Sequence, residues 1–170
     1  MDLKEKIFDD RDGFKKLLSS IPGYGGYQQK EMRRDADKLL REQLARQLSQ
    51  QAVRLQQIKA EMVTSGQLMS IGAVERPSNK LQLLIDRIKT ASYGYAGWFD
   101  SLTVRDDDLD ALYAYDESML EGVSQVSEAI DKVATAVTAR ENLAAACQEL
   151  TTVLDRLNAT FAQRAEVILR

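Results

Sequence analysis

Residues 38–62 read Lys38-Leu39-Leu40-Arg41-Glu42-Gln43-Leu44-Ala45-Arg46-Gln47-Leu48-Ser49-Gln50-Gln51-Ala52-Val53-Arg54-Leu55-Gln56-Gln57-Ile58-Lys59-Ala60-Glu61-Met62. Apolar residues return every three or four positions, and the remaining positions are Gln, Arg, Lys and Glu, all good helix formers. The stripe extends both ways as Met32, Ala36, Leu40, Leu44, Leu48, Ala52, Leu55, Ile58, Met62, Ser65 and Met69. Its mean step of about 3.7 is helical and predicts one nearly straight helix over residues 28–71. At 1.5 Å per residue that helix reaches roughly 60 Å.

The segments around it follow the same period. Leu3, Ile7, Phe14, Leu17 and Leu18 predict a short helix over 3–20, interrupted at Asp12-Gly13. Gly72 to Asn79 reads as a break, with Pro77-Ser78 placed to start the next helix. That helix uses Leu81, Leu84, Ile85 and Ile88 and runs over about 79–93. Thr103-Val104-Arg105-Asp106 fits a capping box. The helix it opens carries Leu109, Leu112, Tyr113, Leu120, Val123, Val126, Ile130, Val133 and Val137. Thr138-Ala139-Arg140-Glu141 looks like a second capping box. The last helix uses Leu143, Cys147, Leu150, Leu154, Leu157, Phe161, Ala165 and Ile168. One continuous helix across residue 138 is the alternative. The expectation is an all-α fold: a single domain over residues 1–170, an elongated antiparallel helical bundle with three long and two short helices.

Composition narrows the chemistry. The 170 residues include no histidine, which removes the commonest general base and the commonest transition-metal ligand. The single cysteine, Cys147, forms no intramolecular disulfide and sits on an apolar stripe, where it acts as a small hydrophobe. Net charge is −3, which argues against nucleic acid as a partner. Residues 1–79 sum to +3 and residues 80–170 to −6. Either the two halves attract across the bundle, or these are solvated helix faces. The opening Met1-Asp2-Leu3-Lys4-Glu5-Lys6 is charged, so no signal peptide is expected. No apolar run reaches the roughly 18 residues of a membrane span. A cytoplasmic location is the default expectation.

Candidate site residues cluster in two glycine-rich aromatic turns. Ile21-Pro22-Gly23-Tyr24-Gly25-Gly26-Tyr27 precedes Lys30-Glu31-Met32-Arg33-Arg34 and Asp37-Lys38-Leu39-Leu40-Arg41. This Pro-Gly-Tyr-x-Gly-Tyr turn with its Lys-Glu-x-Arg-Arg helix resembles a segment of uncharacterised bacterial all-helical proteins. The resemblance covers about 21 residues; it implies a helical fold and brings no activity. Tyr24, Tyr27, Lys30, Arg33 and Arg34 are candidate interaction residues, because donors at a helix N-terminus hold anions. The competing reading packs the tyrosines as a lid on the bundle end. Tyr95 and Trp98, with Tyr93 and Phe99, are either a recognition patch or a plug for the core.

Two further constellations read as structural. Asp106-x-Asp108-x-Asp110 with Glu117 matches the acidic positions of a calcium-binding loop, but the glycine position holds Ala111 and the segment reads as helix. Asp116 falls near an apolar stripe between Tyr113 and Leu120. It needs a partner if buried, an arginine of the long helix being the candidate, or it lies at the rim. No catalytic, cofactor-binding or metal-binding residues are expected. The functional expectation is a non-catalytic interaction or scaffold protein that binds protein partners, itself included as a homodimer, since the long helix exceeds its neighbours. A helical coat or stress protein on a membrane surface is the alternative, and a carboxylate-based enzyme the second.

Overall fold

The computed structural model describes residues 30–91 and 106–169, without the side chains of 30–37, 39, 106–110, 112–113 and 165–169. Four α-helices make up this part: α1 (Lys30–Thr64), α2 (Ile71–Thr90), α3 (Asp106–Ala139) and α4 (Leu143–Leu169). Five were expected for the chain; the expected opening helix over 3–20 lies outside the described residues, as do the two aromatic turns.

The helices form two hairpins. α1 packs on α2 and α3 on α4, and the pairs join through α1 with α3 and α2 with α4. The cross-links set direction. Arg54 pairs with Asp131 and donates to the Ser127 hydroxyl at 3.1 Å, while Gln67, further along, reaches the Val137 carbonyl at 3.2 Å. So α1 and α3 run parallel. Lys80 meets Asp155 at 2.5 Å. Arg87 bonds Asn158 at 2.9 Å and lies 5.7 Å from the Phe161 ring centroid, a cation–π distance. So α2 and α4 also run parallel, and both hairpin tips lie at one end. Arg54–Asp131 and Lys80–Asp155 join the hairpins by opposite charge, with the cation on α1 or α2 each time.

The apolar stripes build the core. Leu40, Leu44, Leu48, Leu55, Ile58 and Met62 of α1 are buried, as are Leu81, Leu84, Ile85 and Ile88 of α2. Val123, Val126, Ile130, Val133 and Val137 of α3 face Cys147, Leu150, Leu154, Leu157 and Phe161 of α4 within the same cluster.

Helix ends depart from the expected ones. The long helix stops at Thr64, not near residue 71, and the next begins at Ile71, not at 79. Gly66 causes this. It adopts φ 76°, and the Gln67 N–H bonds the Met62 carbonyl while the Gly66 N–H bonds Val63. That pair of bonds is a Schellman stop. Pro77 therefore lies inside α2, buried, and does not open a helix. It cannot donate to the Ala73 carbonyl; Ser78 next to it returns its hydroxyl to Val74 at 2.8 Å. The chain also breaks after Ala139, so neither a continuous helix nor a capping box at Thr138 occurs. The Thr138 hydroxyl bonds Ala134 one turn back. Arg140, at φ 57°, closes α3 with the same pattern: its N–H bonds the Val137 carbonyl and the Glu141 N–H bonds the Ala136 carbonyl.

The two tips cap each other. The Arg140 guanidinium donates to the Ser65 carbonyl at the end of α1 at 2.8 Å, and the Gln67 amide donates to Val137 at the end of α3. Each helix thereby satisfies a terminal carbonyl of its neighbour. Gly66→Ala meets no atom within 4 Å of the new Cβ, so its cost is backbone strain alone, about 1–2 kcal/mol. Urea unfolding measures it; a neutral substitution would remove glycine's role in this stop.

Candidate functional site

The helices differ in reach. α1 and α3 have 35 and 34 residues, α4 has 27 and α2 has 20. The unmatched length expected of the long helix is thus largely met by α3. The mismatch lies instead with α2. Lys59 pairs with Glu75 at 3.1 Å; counted antiparallel from there, the end of α2 falls opposite about residue 44 of α1. α1 runs on past it by roughly 20 Å.

A groove of about 600 Å³ lies where α2 ends. The face of α1 from Lys38 to Val53 forms one wall, and Ile88 and Lys89 in the last turn of α2 form the other. Ala45 and Ile88 are buried at its base, and Val53 is 56% exposed. The rim carries Lys38, Arg46 and Lys89 against one carboxylate, Glu42. Glu42 leans to Lys38 at 3.9 Å with both side chains in solvent, which contributes little. Arg46 and Lys89 are exposed and form no ion pair among the described residues. Ser49 and Gln50 complete the α1 wall.

A second groove, of about 430 Å³, lies between α3 and α4 near the Arg140 turn. It has the opposite charge, with Asp131, Glu141 and Glu149 against Lys132. The Glu149 carboxylate bonds the Lys132 ammonium at 2.6 Å and holds its pKa above the ordinary lysine value. This cation is therefore already engaged, unlike Arg46 and Lys89.

Asp116 is buried at 3% exposure, not at the rim. A partner comes from α4: Arg164 Nε donates to Asp116 Oδ1 at 2.5 Å, with Arg164 1% exposed. Arg41 is buried too, on the α1 wall of the first groove. The buried charges thus gather toward the end of the bundle away from the tips.

Of the residues singled out in the sequence, Tyr24, Tyr27, Tyr95 and Trp98 lie outside the described residues. Lys30, Arg33 and Arg34 fall in the first two turns of α1, and their side chains lie outside the description. Lys38 and Arg41, at the end of the same segment, do line the groove. Arg46 and Lys89 were missed. They are ordinary surface cations in sequence, and only the packing of α1 on α2 brings them to one rim.

The other constellations fall on helices. Asp106, Asp108 and Asp110 lie on the helical backbone of α3, where a calcium site needs a loop. Among the described residues no group of three or more metal-ligating side chains converges. Cys147 is buried, and burial pushes its thiol pKa up, away from the thiolate a nucleophile requires. Among the same residues no helix is long and apolar enough to cross a membrane. In comparisons with known proteins, no family model, curated protein or solved structure matches the chain.

Proposed function

We propose that this chain is a non-catalytic helical interaction protein that receives a protein partner in the α1–α2 groove. The observation that carries the reading is the pairing of an apolar base with two exposed cations that have no ionic partner among the described residues. Elsewhere most of the described cations are engaged: Arg54, Lys59, Lys80, Lys132 and Arg164 all hold carboxylates. An open groove with an apolar floor and a charged rim has the anatomy of a binding surface.

Photo-crosslinking tests it. A benzophenone side chain at Val53, inside the groove, should give a discrete crosslinked protein in the native host. The same group at Thr152, exposed on α4, should not. Crosslinks at both positions alike, or at neither, would sink the proposal.

A further inference from the structure

We infer that the partner segment is an acidic amphipathic helix, a deepening that rests on the groove being an interaction site. Charge complementarity carries it. The rim presents Lys38, Arg46 and Lys89 with a single carboxylate, Glu42, between them, so an occupant with carboxylates flanking its apolar face meets opposite charge on both walls. A basic occupant would bring its cations against Arg46 and Lys89.

The spacing selects a helix. Ala45 and Val53 on the α1 wall are eight residues apart, roughly 12 Å along the axis. Lys38 and Arg46 repeat the same interval on the rim. A helix laid along α1 places apolar residues at i, i+4 and i+8 over the base, with acidic residues at the same interval beside them. The wall from Lys38 to Val53 spans about four turns, long enough for such a helix and too long for a single loop tip.

The probe is a fluorescein-labelled 18-residue helical peptide with leucines at i, i+4 and i+8 and flanking glutamates, titrated with the full chain. A second peptide replaces the glutamates with lysines, and a third scrambles the leucines. The acidic amphipathic peptide should bind at least tenfold more tightly than either. Arg46→Glu with Lys89→Glu should weaken it tenfold or more, and so should raising the salt from 50 to 500 mM. Both positions are exposed, so the circular dichroism and melting temperature should not move; Val53→Arg is the second variant, blocking the base without reversing the rim. Equal binding of the lysine peptide, or no effect of the rim variant, would overturn the acidic assignment. If Val53→Arg still abolished binding in that case, the groove would stand as an interaction site with another partner class. Absence of binding by all three peptides would overturn the inference, and a silent crosslink at Val53 would remove the interaction reading with it. Binding to vesicles of anionic lipid, lost with the rim variant, would reassign the cations to a lipid surface.

Discussion

Asp116→Ala lowers the unfolding free energy by about 3–5 kcal/mol, because it removes a carboxylate that the buried Arg164 guanidinium donates to. The side chains of Asp116 and Arg164 are 4% and 1% exposed, so water cannot replace the lost partner. Arg164→Met has a loss of the same order, for the mirror reason. The double replacement Asp116→Ala with Arg164→Met should lose much less than the sum, since it removes both charges. Chemical denaturation of the four proteins gives the coupling energy. Strict additivity would mean that the two side chains act independently, contrary to their 2.5 Å contact.

Gly122→Ala has the second large effect, and its sign depends on one neighbour. In an isolated helix the change stabilises by about 1 kcal/mol. Here a Cβ would lie 2.1 Å from Leu157 Cδ2 and 2.8 Å from its Cγ. Leu157 is buried in the core and cannot withdraw without displacing other side chains. Overpacking of this kind costs about 1–3 kcal/mol and at 2.1 Å outweighs the helical gain. The single variant should therefore melt several degrees lower. In a Leu157→Ala background the clash is gone, and Gly122→Ala should then raise the melting temperature. A destabilising effect in both backgrounds would place the glycine's role in the backbone of α3, not in its contact with α4.

Such a contact was not legible in the sequence, whereas the core was. The stripe through Leu40, Leu44, Leu48, Leu55, Ile58 and Met62 follows from one helix's period, and all six are buried. The same period misplaced the helix end. Ser65 and Met69 continue the phase, so the period runs on through Gly66; Met69 is 99% exposed. Periodicity cannot separate a residue that continues a face from one that shares its phase beyond a stop. Gly66 settles the matter through a left-handed backbone that its neighbours do not encode. The α4 partner of Asp116 escaped the sequence for another reason. That a buried carboxylate needs a cation is local chemistry, but which helix supplies it depends on the order of helices around the bundle. The groove is illegible on the same ground, since it forms where the α1 face from Lys38 to Val53 meets the last turn of α2.

The two mutually capped tips also bear on the order in which the chain folds. Each hairpin closes through a short link, residues 65–70 or 140–142, so its own contacts are near in sequence and form at low entropic cost. The contacts between hairpins, from Arg54 to Asp131 or from Ser65 to Arg140, span more than 70 residues. We predict that the hairpins form first and dock late, their tips meeting in the second step. Stopped-flow kinetics of Arg140→Ala should then show a faster unfolding rate with little change in folding rate. A slowed folding rate would place the tip contact in the nucleus and reverse that order.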